Sequence, residues 1–306
     1  MGLEQVAFVF PGQGSQSVGM GGDLYDAEPV VREMFDEADD ALGYSLSRII
    51  RDGPEEELRR TANTQPAILL LSVAIYRILG LRPAVMAGHS LGEYSAVVCA
   101  GALRFRDAVV LVHRRGQYMQ DAVAPGDGLM LALIGTDVDT VRRALDAVEG
   151  DVDIANINAP GQIVIAGEKG ATRRACERIG ARQTVELPVS APFHCRLMAT
   201  AEEQLSRDLD QVVFADPEVP IYNNVDAKRV TSRAEVRDGL KRQVTRPVRW
   251  TDIVERMVER DVVRTFVEVG PGGVLSGLIR RIDHTARRLK AHDLASLESV
   301  RTELGS

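Results

Sequence analysis

What this 306-residue sequence holds little of narrows its chemistry first. There are only three cysteines, Cys99, Cys176 and Cys195, and none has a CxxC spacing. An odd count without that spacing points away from a disulfide framework and from a cysteine-rich zinc site. There is no excess of positive charge: 37 Lys and Arg stand against 44 Asp and Glu, a formal net charge of −7. A protein that binds nucleic acid or an anionic membrane over its whole surface should lean the other way. The longest apolar run, residues 67–75, already contains Ser72 and ends before Arg77, which is too short to span a bilayer. The opening MGLEQVAFVF lacks the basic start and cleavage pattern of a secretory signal. Val6 stands where a myristoylation signal wants Ser or Thr. The expectation is a cytoplasmic protein with reduced thiols. Hydrophobic residues at 45% and charged residues at 26% fit a soluble globular chain, and the length fits two lobes or one large α/β domain.

The hydrophobic patterning alternates between strand and helix. Residues 6–10 read as a strand, followed by a glycine loop and helices. A second strand at 83–87 is followed by another helix. That alternation predicts an α/β fold with a largely parallel sheet. The stretch 66–79 is apolar nearly all round, as a buried helix would be. The middle of the chain reads differently. Strands at 128–134, 152–157, 162–166 and 184–189 and helices at 136–148 and 171–179 follow the order βαββαβ, a split, ferredoxin-like unit. A small lobe is therefore expected at 126–190, inserted in a larger lobe made of 1–125 and 191–306. The seam between them is a natural ligand cleft.

The sharpest local signal is Gly88-His89-Ser90-Leu91-Gly92, between a strand end and a helix start. It fits the G-x-S-x-G nucleophile elbow, in which two glycines permit a turn that pushes the serine forward. The N–H of Leu91, at the first turn of the following helix, would then face a developing oxyanion. Such a serine needs a base. Five histidines are available. Strand-like alternation turns His89 away from its neighbour Ser90. His113 lies mid-helix, and His284 and His292 lie among arginines. His194, in the loop leaving the small lobe, is the best placed. A second glycine loop, Phe10-Pro11-Gly12-Gln13-Gly14-Ser15-Gln16, invites a nucleotide reading. It lacks the Lys-Ser/Thr of a Walker A loop, and Ser17 replaces the third Rossmann glycine. A loop after the first strand can instead bring a second oxyanion donor over the serine, and the backbone N–H of Gln13 is the candidate. A plain tight turn is the competing reading.

These segments, with Asn156–Gly167 (NINAPGQIVIAG), Pro192–Cys195 (PFHC) and Glu268–Gly272 (EVGPG), occur in the order found in the malonyl-CoA:acyl carrier protein transacylases. The chain resembles that family from Val6 to about Ile282. The resemblance implies an α/β-hydrolase-like lobe with a ferredoxin-like insertion. It implies Ser90 as the acylated nucleophile, His194 as its base, and the amides of Gln13 and Leu91 as the oxyanion hole. It implies that Arg115 pairs with the malonyl carboxylate and that the backbone carbonyl of Gln243 orients the histidine. A planar guanidinium suits that role, because it offers a carboxylate two parallel hydrogen bonds. Phe193 would wall the acyl pocket, since in this family and its polyketide relatives a Phe here goes with malonyl rather than methylmalonyl. Cys195 is read as a small packing residue.

The implied activity moves malonyl from malonyl-CoA to the phosphopantetheine thiol of an acyl carrier protein through a malonyl-serine ester. It calls for no metal and no cofactor beyond CoA and pantetheine as substrates. The carrier would be acidic, and two basic stretches could steer it: residues 280–290, and Lys241, Arg242, Arg246 and Arg249. Solvated helix faces explain those stretches equally well. A monomer is expected. Three rivals remain open: a free-standing acyltransferase serving a polyketide synthase, a serine esterase or thioesterase, and a catalytically silent acyl-CoA-binding module, against which the intact Ser90 and His194 argue.

Overall fold

The computed structural model describes residues 3–305. Two sheets organise it. The first has six strands: β1 (Val6–Phe10), β2 (Val85–Gly88), β7 (Ile221–Tyr222), β8 (Arg229–Val230), β9 (Thr265–Val269) and β10 (Arg287–Ala291). Their order is β10-β9-β1-β2-β7-β8, parallel throughout except for the antiparallel edge strand β8. The second is antiparallel, with β3 (Gly128–Ile134), β4 (Val152–Ala159), β5 (Gln162–Glu168) and β6 (Gln183–Glu186) in the order β4-β5-β3-β6.

The sequence VAFVF explains why β1 is central. Every residue is apolar and fully buried, so both faces of the strand are covered. Val6, Phe8 and Phe10 point into one core with helices Thr61–Leu79, Leu91–Cys99 and Phe105–Asp121. Ala7 and Val9 point into a second core with Trp250, Ile253, Leu275 and Ile279 from helices Trp250–Arg260 and Val274–Ile282. The antiparallel sheet divides its residues the same way. Leu129, Leu131 and Leu133 pack under helices Val138–Asp146 and Lys169–Ile179, while Met130 and Ala132 face the larger core.

Two of the boundaries that differ from the sequence reading have a physical cause in proline. Helix Thr61–Leu79 begins five residues before the expected start, with Pro66 inside it. Proline lacks the N–H that would bond the Ala62 carbonyl four residues back. That carbonyl instead pairs with His113 Nδ1 at 2.9 Å, so the helix tolerates the proline. By length and composition this 19-residue helix, with an 18-residue window of mean hydropathy 1.2, could cross a membrane, which corrects the expectation drawn from the shorter run; 72% of that window is buried, as in a core helix. Strand β6 stops at Glu186 rather than 189, because Pro188 has no N–H to extend the ladder. Residues 187–189 become a loop.

Candidate active site

Strands β1 and β2 are adjacent and parallel, so the loops at their C-terminal ends emerge side by side. Glycine presses them together. A Cβ on Gly12 would sit 2.5 Å from the His89 carbonyl oxygen, and one on Gly88 would sit 1.8 Å from the Gly92 carbonyl carbon. The turn so formed holds Ser90 at φ +52°, ψ −107°, the left-handed half of backbone space that a residue with a Cβ rarely adopts. Helix Leu91–Cys99 starts immediately after it. The N–H groups of Gln13 and Leu91 make no hydrogen bond among the described residues. In Leu91 that is the ordinary state of a first-turn amide.

The structure brings the predicted side chains to one point. Ser90 Oγ lies 2.7 Å from His194 Nε2 and accepts a hydrogen bond from Arg115 at 3.1 Å. His194 Nδ1 lies 2.8 Å from the Gln243 carbonyl oxygen. A carbonyl only accepts, so Nδ1 carries the proton and Nε2 is left to accept from the serine hydroxyl. His194 is itself at φ +59° and buried. Burial and the neighbouring Arg115 cation hold its pKa down to about 3, so the imidazole is neutral at pH 7. The loop carrying it is anchored just downstream. Arg196 donates through its backbone N–H and guanidinium to Asp153 of β4, at 2.8 Å and 2.6 Å.

Arg115 is 1% exposed. It donates to Gln65 Oε1 and Gln243 Oε1, both at 2.8 Å, and its planar group lies over the Tyr94 ring. Burial lowers its pKa. Glu93 is buried nearby and accepts from Gln243 Nε2 at 2.6 Å and from the Asn224 backbone at 3.0 Å. Burial raises its pKa to about 7, against the pull of those donors.

A cavity of about 400 Å³ opens onto Ser90 and His194. Gln13 and Gly14 form one wall, and Met130, Asn156, Leu187 and Phe193 another. Phe193 is 8% exposed, and its N–H donates to Met130 Sδ at 3.2 Å. A polar cavity of about 490 Å³, lined by Asp153, Arg196 and Arg246 among others, lies elsewhere and does not include Ser90.

Two of the other histidines are occupied near the site. His89 Nε2 meets Asn158 Oδ1 at 2.9 Å and its ring tilts over Trp250, while His113 serves Ala62. Cys195 is fully buried beside His194, and burial pushes its thiol up to about 12. Among the described residues no group of three or more His, Cys, Asp or Glu could hold a metal ion. Four of the nine Lys and Arg in the two basic stretches are engaged in ion pairs: Lys241 with Asp210, Arg242 with Asp226, Arg249 with Asp252, and Arg287 with Glu303.

Sequence reasoning missed the residues that hold this set. Asn224 accepts from the Ser90 N–H at 2.7 Å and donates to the Gly88 carbonyl at 2.7 Å, so its side chain braces the turn. Its signal was the polar pair Asn223-Asn224 directly after the apolar β7, both fully or nearly fully buried. Gln65 and Glu93 stood out only as polar residues within apolar helical stretches.

A serine at a strained strand-to-helix turn, a neutral histidine held by a carbonyl and a buried arginine beside both define an acyl-transfer enzyme of the serine type. The acyl transferase domain family matches residues 7–300. A malonyl CoA-acyl carrier protein transacylase of Haemophilus influenzae is 49% identical, over 97% of this chain and 98% of that protein. The crystal structure of an acyl carrier protein S-malonyltransferase from Vibrio cholerae superposes with TM-score 0.93 at 48% identity, covering 97% of this chain and 99% of that one. A malonyl-transacylase solved with its type II polyketide acyl carrier protein superposes with TM-score 0.94 at 46% identity, covering 98% and 99%. The chain belongs to the malonyl CoA-acyl carrier protein transacylase family.

Proposed function

We propose that this protein transfers the malonyl group of malonyl-CoA to the phosphopantetheine thiol of an acyl carrier protein, supplying fatty acid synthesis. Ser90 Oγ gives its proton to His194 Nε2 and attacks the thioester carbonyl. The oxyanion forms against the N–H groups of Gln13 and Leu91. It collapses, the C–S bond breaks, and CoA leaves with the proton from His194. The malonyl-serine ester remains, its free carboxylate on Arg115. The carrier thiol then gives its proton to the same histidine and attacks the ester, and Ser90 recovers its hydrogen.

The observation that carries this reading is the position of Ser90 Oγ, between the His194 base and the buried Arg115 cation. A serine hydrolase of simple esters has no use for a buried guanidinium at the nucleophile, whereas an acid thioester does. The polyketide reading is favoured by one observation, the likeness to a transacylase solved with a type II polyketide carrier. Competition between a fatty acid carrier and a polyketide carrier for the acyl-enzyme separates the two.

On this reading residues 126–190 form a ferredoxin-like small lobe and residues 1–125 and 191–306 an α/β-hydrolase-like lobe. The order β4-β5-β3-β6 and the parallel sheet support that division. Phe193 bounds the acyl pocket. The protein works as a cytoplasmic monomer on freely diffusing CoA and carrier, and needs no metal or further cofactor. Arg246 is exposed and Arg280 is exposed, which leaves both to meet an acidic carrier.

Intact-mass spectrometry after brief mixing with malonyl-CoA tests the reading. The expected result is a gain of about 86 Da that Ser90→Ala abolishes and added carrier protein clears. Steady release of malonate without an adduct would make the protein a thioesterase.

A further inference from the structure

Two opposite charges are buried beside Ser90, and they do not touch. Arg115 is 1% exposed and Glu93 2% exposed. Among the described residues no ion pair of 4.0 Å or less joins them. The side-chain amide of Gln243, itself fully buried, stands between. Its Oε1 accepts from Arg115 at 2.8 Å, and its Nε2 donates to Glu93 at 2.6 Å. Arg115 forces the orientation: a guanidinium only donates, so Oε1 must face it, which turns Nε2 toward the Glu93 carboxyl. The amide dipole therefore points its negative end at the cation and its positive end at the anion. Nε2 also reaches the Ser90 carbonyl at 3.0 Å, which fixes the amide to the nucleophile's own backbone.

The separation has a chemical consequence. A buried Arg–carboxylate contact pair is strong and already neutral, and it offers little to an incoming anion. Here Arg115 is held by neutral oxygens only: Gln65, Gln243 and Ser90. Its Nε has no partner among the described residues. Glu93 still offsets the cation's burial from a distance.

We propose that the Gln243 side chain insulates Arg115 from Glu93, so that the guanidinium meets the acyl carboxylate as an uncommitted cation, and that Glu93 and this amide are positioning residues for selectivity between dicarboxylic and simple acyl thioesters. The inference rests on Arg115 receiving that carboxylate. It assigns the Gln243 side chain a task separate from that of its backbone carbonyl, which every substitution at this position retains. It also gives a role to Glu93, which touches no reacting atom.

Single-turnover acylation by malonyl-CoA and by acetyl-CoA tests it at about pH 8, above the raised Glu93 pKa of about 7, read by intact mass in Gln243→Met, Glu93→Gln, the double variant and Arg115→Ala. Methionine keeps the volume and removes the amide. Arg115 and Glu93 then close on each other, and malonyl selectivity over acetyl falls about tenfold, expressed in KM rather than in the limiting rate. Adding Glu93→Gln removes the competing anion and returns selectivity to within about threefold of the parent. Packing damage alone would not be repaired by that second change. Retained selectivity in Gln243→Met, or no recovery in the double variant, overturns the inference. If Gln243→Met does not fold, Glu93→Gln alone decides: a lower KM for malonyl-CoA is expected, and an unchanged or higher one overturns it. Arg115→Ala keeps the two levels apart. Lost selectivity there with full selectivity in Gln243→Met leaves Arg115 as the carboxylate partner and removes only the insulation. Full selectivity in Arg115→Ala removes the assignment of Arg115 itself.

Discussion

The two sheets meet at one cavity and supply it with different things. The parallel sheet contributes charge, proton-handling groups and forced backbone. Its β1 and β2 loops bring Gln13 and Ser90, and the helices packed on it bring Glu93 and Arg115. The antiparallel sheet contributes shape: Met130 of β3, Asn156 of β4, and residues 187–189 after β6 line the cavity. The reason is geometric. Neighbouring parallel strands end at the same edge, with helix N-termini pointing their N–H groups at whatever binds there. An antiparallel sheet alternates its ends, and offers a face instead of an edge. His194 and Gln243 lie between these regimes. Each is anchored to β4 by a neighbour, Arg196 to Asp153 and Val248 to the 155–157 backbone. If this contrast is right, changes at the parallel-sheet loops should cut the rate of acylation, and changes on the antiparallel face should alter which acyl group fits.

The largest effect expected is at Gly12. An alanine Cβ there meets the His89 carbonyl at 2.5 Å, so the β1 loop must lift and carry the Gln13 N–H with it. Losing one oxyanion donor costs about 10²–10³ in the acylation rate. Rapid-quench acylation of Gly12→Ala should show that loss with little change in KM. Equal losses in both parameters would mean that the loop shapes binding rather than the oxyanion.

Next comes pH, where the sign follows from the histidine. Burial and Arg115 depress the His194 pKa to about 3, so the base stays neutral well below its ordinary 6.5. With Glu93 replaced by Gln, acylation should therefore hold as pH falls through 6 and decline only toward that depressed value. The same shift opposes stability. The unfolded chain takes up the proton near 6.5 and the folded chain does not, so the His194 contribution is lost as pH drops below 6.5. Glu93, raised to about 7, also titrates in this range, so the profile is read in Glu93→Gln: an acid limb near pH 6.5 that persists there would show the imidazole to be solvated rather than buried.

What could be read from the sequence and what could not follows the same division. The turn at Ser90 was legible because two glycines and a serine at fixed spacing are a local necessity. The βαββαβ order was legible because each element carries its own periodicity. Arg115 and Gln243 were legible only through resemblance, since nothing local separates Arg115 from Arg114 beside it. Asn224, Gln65 and Glu93 escaped because their partners lie far along the chain: 134 residues separate Asn224 from Ser90, and 50 separate Gln65 from Arg115. The start of helix Thr61–Leu79 escaped because Pro66 reads as a beginning, and the histidine that satisfies the freed carbonyl is 51 residues away.

On the antiparallel side, Phe193 is the informative position. It is 8% exposed, lines the cavity, and packs where its backbone meets Met130. Phe193→Ala should raise acylation by methylmalonyl-CoA relative to malonyl-CoA by about tenfold, the scale of one methyl group's worth of space in an apolar pocket. The malonyl rate itself should fall less than that. A matching fall for both thioesters would move Phe193 from the acyl wall to the support of His194, its neighbour.

The smallest effect expected is at Asp153, and it tests whether the antiparallel sheet touches the chemistry at all. Arg196 binds Asp153 through two guanidinium nitrogens and its backbone N–H, two residues after the base. The Arg196 side chain is 60% exposed, however, and solvent screens such a pair to less than about 1 kcal/mol. His194 is fixed more firmly from inside, by the Gln243 carbonyl and the packing of Phe193 and Cys195. Asp153→Ala should therefore slow acylation by no more than about threefold, and Asp153→Asn, which keeps an acceptor for the Arg196 N–H, by less. A loss of a hundredfold in Asp153→Ala with unchanged thermal stability would break the contrast, because the antiparallel sheet would then set the base as well as the wall.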